Sequence, residues 1–221
     1  MARAKSGLLS ALGTAWEIFK AIVEATLAIG GSDEDVKRVL TVPGLARNIA
    51  ELIRKAGSRW REEGGVIYLS VTSTGMTGPQ WIEHLEKLGF RLSDYAKSVL
   101  RSPDFKPTNG VTYEVAILKG MLFEDDNRVT EKIRAEATGR KFEKPNAELA
   151  CLIRENFSDE DIEAMGLWWI IVMHEPIKDS GGLRLLGASR FDFGRWLNAC
   201  CVNPGFRWIR DNGFAFVVSQ V

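Results

Sequence analysis

The segment that decides the fold reads DSGGLRLLGASRFDFGRWLNACCVNPGFRWIRDNGFAFVVS and spans residues 179–219. It contains no Lys, Glu, Gln or Met, although these types supply 12, 18, 2 and 5 residues of the whole chain. At that rate a stretch of 41 residues should hold about seven of them. Arg, Asp, Asn, Gly, Ser, Cys, Phe and Trp occur instead. The bias indicates that something other than fold maintenance selected these residues.

Within this segment only residues 183–186 and 214–218 have the apolar pattern of a clear strand. Glycines interrupt the rest, and aromatic residues stand among small polar ones. We therefore predict a loop-rich C-terminal region. Binding residues concentrate on loops that a rigid scaffold holds in place, so binding residues are expected in this loop-rich region.

Upstream, strands and helices alternate. The patterns predict strands over residues 66–71, 111–118 and 167–173, and helices over residues 81–88 and within 146–165. The run over 167–173, LWWIIVM, is apolar on both faces, which is typical of a strand in the middle of a sheet. The fold class is therefore α+β, with one domain over residues 65–221.

Residues 1–64 are predicted to be a helical N-terminal extension, with helices over 8–29, from Ser32, and over 45–60, and a linker over 62–65. The first helix is amphipathic, and its charged residues make it a poor membrane span. We expect no transmembrane segment. Its apolar side requires a partner surface, either the core of this protein or another subunit.

Charge and composition exclude several classes of function. Lys+Arg and Asp+Glu both total 29, which argues against a broad electrostatic partner such as duplex DNA or anionic lipid. Three cysteines do not form a disulfide framework, and two histidines cannot supply a usual zinc site. No signal-peptide pattern is visible, so the location stays open. We predict no cofactor and no metal.

Two functional alternatives remain. His174 and Glu175 follow the Trp-rich strand, where a general base of an enzyme could lie. Residues 81–101 form a helix, a Gly89 turn and a capped helix, the outline of a helix-turn-helix that could bind nucleic acid.

The end of the chain resembles the variable region of diversity-generating retroelement variable proteins. The resemblance rests on Gly194-Arg195-Trp196, on Trp208 and on the terminal run over residues 213–218, GFAFVV. Two features depart from the family pattern. Ala215 stands where Arg is usual, and Gly-Arg-Trp replaces Gly-Gly-Ser-Trp.

The resemblance implies a C-type lectin fold, of the type related to formylglycine-generating enzymes, with the strand over 214–218 pairing near residues 66–71. It also implies variation at adenines, mostly in Asn codons. Randomising the first two bases of such codons cannot give Lys, Glu, Gln, Met or Trp. The first four are the types that the segment lacks.

The resemblance further implies a variable region over about residues 186–212 and assigns the residues of the tail to two groups. The fixed scaffold is Gly194, Arg195, Trp196, Leu197, Pro204, Trp208, Gly213 and Phe214, with the rest of the final strand. The variable, ligand-contacting positions are Ser189, Phe191, Asp192, Phe193, Asn198, Cys200, Cys201, Val202, Asn203, Gly205, Phe206, Ile209, Asp211 and Asn212.

These residues predict a ligand-binding protein that is not an enzyme and whose ligand is a protein. Aromatic residues beside Asp, Asn, Ser and Arg are typical of protein-binding surfaces. The tail has no Glu-Pro-Asn or Gln-Pro-Asp motif, so neither calcium nor sugar dependence is expected. Nucleic acid is not expected as a ligand.

Overall fold

The structure is a computed structural model that describes residues 12–46, 48–49, 59–191, 194–203 and 205–219. The chain forms two compact units, Met1–Ser58 and Arg59–Val221. The sequence places the division at residue 64. The difference arises because Trp60–Glu63 is strand β1, which pairs with β2 (Val66–Thr74) in the second unit.

Two expectations at this boundary are wrong. The helix over 45–60 does not reach Trp60, and the linker over 62–65 is the end of β1 and the turn of a hairpin. Gly64 and Gly65 have φ values of 56° and 78°, the positive range that a two-residue hairpin turn requires and that Gly adopts without penalty.

The first unit contains helices α1 (Leu12–Ala28) and α2 (Asp33–Thr41). The amide of Ser32 donates to the carboxylate of Asp35 at 2.8 Å, as expected for a cap before α2. Residues 45–46 and 48–49 are helical, while 8–11, 47 and 50–58 of the predicted helices lie outside the described residues. No helix in the described part of the chain is long and apolar enough to cross a membrane.

The second unit combines five helices with a large mixed sheet, so the α+β class is confirmed. The helices among its described residues are α3 (Gly78–Lys87), α4 (Asp94–Leu100), α5 (Thr130–Gly139), α6 (Glu148–Asn156) and α7 (Asp159–Ala164). The strands after β2 are β3 (Arg91–Leu92), β4 (Asn109–Lys119), β5 (Phe142–Glu143), β6 (Trp169–Val172), β7 (Ile177–Asp179), β8 (Gly182–Phe191), β9 (Gly194–Cys201) and β10 (Asn212–Val218).

Local signals in the sequence set the helix starts. The amide of Thr77 donates to Gln80 Oε1 at 2.8 Å, which completes the capping box before α3. The hydroxyl of Ser93 accepts from the amide of Ala96 at 3.2 Å at the start of α4. These helix starts are confirmed. No prediction covered α5, whose fully buried positions are only Ile133 and Ala137.

The sheet runs β1-β2-β4-β10-β6-β8-β9-β3, with β5 beside β10 and β7 beside β8. The strand β6 lies between β10 and β8, so its predicted central place is confirmed. The expectation places the last strand near residues 66–71, and it lies one strand away from them, because β1 and β4 already occupy both edges of β2. Strand β10 pairs instead with β4, antiparallel, and β6, parallel.

Two hydrophobic clusters flank the sheet. Helices α3, α4 and α6 contribute Trp81, Leu100 and Leu152 to one cluster, which also holds Leu186 and Leu197. Helix α5 contributes Ile133 to the other, which holds Leu185, Trp208, Phe214 and Phe216. The alternating pattern of β8 therefore sends successive side chains to opposite clusters.

Candidate binding surface

Strands β8 and β9 form one long antiparallel hairpin, from Phe191↔Gly194 to Arg184↔Cys201. The prediction that this region is mostly loop is therefore wrong. Gly194, Asn198 and Ala199 give the sequence of β9 a weak strand propensity, and the pairing with β8 overrides it.

The register of this hairpin brings predicted variable positions together on one face of the sheet. Side chains opposite each other in an antiparallel pair share a face. The face consists of Gly187, Ser189 and Phe191 of β8 and Trp196, Asn198 and Cys200 of β9, and we call it the tail face. The tail face is opposite the face that carries Leu186 and Leu197. Helices α4 and α6 pack against that other face.

Strand β6 extends the tail face with Trp169, which pairs directly with Ser189. The amide of Asn198 donates from Nδ2 to Ser189 Oγ at 3.0 Å. Phe191 meets the neighbouring Trp168 edge-to-face, with ring centroids 5.8 Å apart. The face thus combines half-buried aromatic rings with a small hydrogen-bonded polar pair.

Residues 202–211, which we call the tail loop, continue from β9. Asn203, Gly205, Phe206, Ile209 and Asp211 are exposed there, and Val202 is half-buried. Phe206 is 46% exposed and Ile209 54%, so both large apolar side chains are available for contact. Pro204 lies outside the described residues.

Not every predicted contact position lies on the surface. Ser189 and Asn212 are buried, at 0% and 3% exposure, so the expectation that they contact a ligand is wrong for this conformation. Phe191, Asn198, Cys200 and Cys201 are half-buried. Asp192 and Phe193 lie outside the described residues.

The two adjacent cysteines point to opposite faces, as neighbours in a strand must. The Cys200 thiol donates to the Leu185 carbonyl, and burial raises its pKa to about 12. It is therefore neutral near pH 7 and a poor nucleophile. Cys201 lies off the tail face, beside the guanidinium of Arg184, which stacks over Tyr95 at 3.9 Å.

The predicted scaffold residues have structural contacts. Trp208 is buried and donates from Nε1 to Thr130 Oγ1 at 3.1 Å. Phe214 meets Trp208 edge-to-face at 5.8 Å. A Cβ at Gly213 would lie 2.6 Å from Ile117 Cγ2, so only glycine fits there. Trp196 is half-buried, with the guanidinium of Arg91 5.7 Å from its ring centroid.

Three residues of this region escaped the sequence reading. Trp169 lies within the predicted strand, but the sequence could not show that it shares a face with Ser189. Gly120 and Arg128 lie beneath the tail loop and adjoin its main chain. Neither has a motif or spacing that links it to residues about eighty positions later in the chain.

His174 does not have the surroundings of a catalytic base. Its ring is 1% exposed, Nε2 accepts from the Leu186 amide at 3.0 Å, and Nδ1 contacts the Glu175 carbonyl at 2.6 Å. Burial is the main cause that lowers its pKa to about 4. The neutral ring thus fastens β8 to the segment after β6, with both nitrogens engaged.

The neighbouring Glu175 is exposed and pairs with Lys144, which is the main reason that its pKa is lowered. Both His174 and Glu175 line a cleft of about 370 Å³, together with Asp104, Lys106 and Asn146. Because the His174 nitrogens are occupied, the cleft holds no free imidazole for proton transfer.

The segment over residues 81–101 is built into the sheet. Between α3 and α4, strand β3 pairs in parallel with β9 at Leu92↔Leu197. Trp81, Leu85 and Leu100 are buried in the core. On α4, Lys97 is paired with Glu86 at 2.6 Å. This segment therefore supports β9, and its packing into the sheet is its structural role.

Within the described ranges, no three His, Cys, Asp or Glu side chains cluster as a metal site requires. The chain matches no protein-family model, no curated protein and no solved structure. The arrangement therefore has to be interpreted from its own geometry.

Proposed function

We propose that this protein is a ligand-binding protein whose C-terminal surface is diversified by a retroelement while the scaffold beneath stays fixed. The observation that carries the proposal is the coincidence of two patterns. The segment over residues 179–219 lacks Lys, Glu, Gln and Met, and ten of its proposed variable positions lie either on the tail face or in the adjoining tail loop. Those on the face are Ser189, Phe191, Asn198 and Cys200, and those in the loop are Val202, Asn203, Gly205, Phe206, Ile209 and Asp211.

The scaffold that we propose is a C-type lectin fold. Its support is the terminal strand β10, which returns to the middle of the sheet beside an earlier strand. On this proposal β4 takes the place expected for residues 66–71. Strands β1 and β2 are then an addition at the edge of the sheet.

The ligand that we propose is a protein. Phe206 and Ile209 project from the tail loop, flanked by the charged residues Arg207, Arg210 and Asp211. Apolar side chains within a polar rim are typical of protein-binding surfaces. Protein ligands also suit a surface whose side chains can change without loss of the fold, as in antibody loops.

The DNA around the gene provides the direct test. We expect a near-copy of the codons for residues 186–212 beside a reverse transcriptase gene, differing from the coding copy mainly at adenines. The absence of both would refute diversification. A copy that differs at random bases would also contradict the proposal, because adenine-specific change is its mechanism.

A further inference from the structure

The guanidinium of Arg128 lies beneath the tail loop, and the residue as a whole is only 6% exposed. Its Nη1 donates to the Trp208 carbonyl at 3.2 Å, and its Nε donates to the Gly120 carbonyl at 3.0 Å. Its Nη2 donates to the Phe123 carbonyl at 3.0 Å and to Asp125 Oδ1 at 2.8 Å. One side chain thus joins the tail loop to the segment over residues 120–125.

The main chain of Arg128 completes this attachment. Its carbonyl accepts from the Trp208 amide at 2.8 Å, so both polar main-chain groups of Trp208 are bound by one residue. The next residues form an isolated antiparallel bridge, Val129↔Arg207. The loop is therefore fixed at residues 207–208, between exposed Phe206 and Ile209.

Gly120 allows the far end of the loop to lie close. A Cβ at this position would be 2.6 Å from the Arg210 carbonyl oxygen and 2.9 Å from those of Ile209 and Asn212. Such distances to main-chain atoms cannot be relieved by a side-chain rotation. The loop backbone thus lies directly on a glycine that a larger residue would push away.

These contacts have one property in common. Apart from the fixed Trp208 ring, which bonds Thr130, they all reach main-chain atoms of the tail loop. Two side-chain contacts of the loop stand apart from this set: Arg207 pairs with Asp126 at 3.0 Å, with both side chains largely exposed, and the Phe206 ring meets the Trp208 ring at 4.9 Å. An exposed ion pair of this kind contributes little to stability. Main-chain contacts are indifferent to which side chain the residue carries.

We propose that Arg128 is a positioning residue that holds the tail loop in one main-chain conformation, whatever side chains the loop displays. This deepens the proposed function and rests on it: a diversified loop needs an anchor that does not depend on the diversified side chains. A planar guanidinium with five donors can serve three carbonyls and a carboxylate at once, which the single ammonium of Lys cannot.

Trypsin provides the test, because Arg207 and Arg210 lie within the loop itself. Native full-length chain is digested briefly, and cleavage after these two residues is measured by mass spectrometry relative to cleavage after exposed Lys37 in the first unit. The cleavage rate of each variant is divided by the rate for a free peptide that has the sequence of that variant over residues 203–213. This removes any direct effect of a substitution on recognition of the site by trypsin.

Arg128→Lys is expected to raise the rate of cleavage in the loop by about tenfold or more. The loop should open more readily in this variant, because opening no longer requires the hydrogen bonds of the guanidinium to be broken. The matched control is Arg134→Lys, which alters a half-buried Arg that donates to the His174 carbonyl, away from the loop. It should leave loop cleavage within about twofold of the parent. Equal cleavage in both variants would overturn the proposal.

A second variant keeps the test decisive if Arg128→Lys fails to fold. The double change Phe206→Ser and Ile209→Ser alters exposed side chains and should raise cleavage by no more than about fivefold, the factor that corresponds to loss of the Phe206 ring contact with Trp208. A tenfold rise would show that side chains hold the loop, and the proposal would fail.

The two proposals can fail separately. A missing template copy together with cleavage of the double variant within the expected limit would refute diversification and leave the positioning role of Arg128 intact. A template copy together with a loosened double variant would refute the positioning role alone.

Discussion

The indole of Trp169 lies directly over Gly187, so that a Cβ at position 187 would be 2.4 Å from Trp169 Nε1. The same Cβ would be 2.5 Å from the Ile170 carbonyl oxygen. Gly187 therefore creates the space in which β6 carries an aromatic ring on the tail face. A glycine inside the predicted binding region is thus a packing requirement of the scaffold.

We expect Gly187→Ala to lower the free energy of unfolding by about 3 kcal/mol, because the main chain of β6 cannot move aside without breaking its own pairing. Chemical denaturation monitored by tryptophan fluorescence measures this. The matched control is Gly139→Ala at the end of α5, where a Cβ meets no atom within 4 Å. That change should be neutral or slightly stabilising, and equal losses in both would contradict the packing argument.

The stability of the protein should fall between pH 7 and pH 5 because of His174. Its pKa of about 4 lies below the usual value of 6.5, so the unfolded chain takes up a proton first as the pH falls. The contribution is present above pH 6.5 and is lost towards pH 4. We expect a loss of about 2 kcal/mol from this group between pH 7 and pH 5.

Unfolding free energies measured across this range for the parent and for His174→Gln provide the check. The His174 variant should be less stable at pH 7 and should lose about 2 kcal/mol less on acidification. If the two curves are parallel, His174 is not the group responsible.

Features of the fold that depend on interactions between residues close in sequence could be predicted, and features that depend on distant residues could not. The capping boxes at Thr77 and Ser158 and the apolar run of β6 are local signals, and the structure has them where expected. The place of β10 depends on which edges are free after β1 pairs with β2, and no local pattern carries that information.

The candidate site divides in the same way. The composition of residues 179–219 identified the region, but it could not show that Asn198 and Cys200 lie on the same face while Cys201 does not. That follows from the register of β8 and β9. The sequence of β9, GRWLNACC, has no regular alternation of polar and apolar residues for a sequence pattern to detect.

Two neighbouring aromatic residues of the tail loop should differ sharply in their effect on stability. Trp208→Ala should cost about 3–5 kcal/mol, because the ring is buried against Phe214 and its nitrogen bonds Thr130. Phe206→Ala should cost about 1 kcal/mol, since the ring is half-exposed and only its edge contact with Trp208 is lost. Thermal unfolding of both variants measures the contrast, and similar losses would contradict the division into scaffold and display residues.

The first unit has exposed apolar side chains, with Ile29 at 87% and Leu40 at 88% exposure. We expect them to mediate self-association, because apolar surface of this kind is stabilised by burial against a partner. The variant Ile29→Ser with Leu40→Ser should reduce the mass measured by light scattering after gel filtration. Leu88→Ser, at a 44% exposed position in the second unit, is the control. Unchanged mass in all three proteins would contradict this role.

The burial pattern predicts which positions of the tail vary if the retroelement writes them. Phe206, Ile209 and Asp211 are exposed, so substitutions there should be tolerated freely. Ser189 and Asn212 are buried, and large side chains there would be excluded by overpacking. Sequencing many copies of the gene from a population of cells that carries it measures the variation at each codon.

We expect the functional copies to concentrate their differences at the exposed positions, with Gly187 and Gly213 invariant because a Cβ meets neighbouring atoms at 2.4 Å and 2.6 Å. The template copy supplies the control. Where the template has an adenine at a buried position, the retroelement should change that codon as often as any other. Among copies that encode folded protein, bulky residues should nevertheless be rare at that position. Equal representation of bulky residues at buried and exposed positions would show that the fold does not limit the diversity, contrary to the structure.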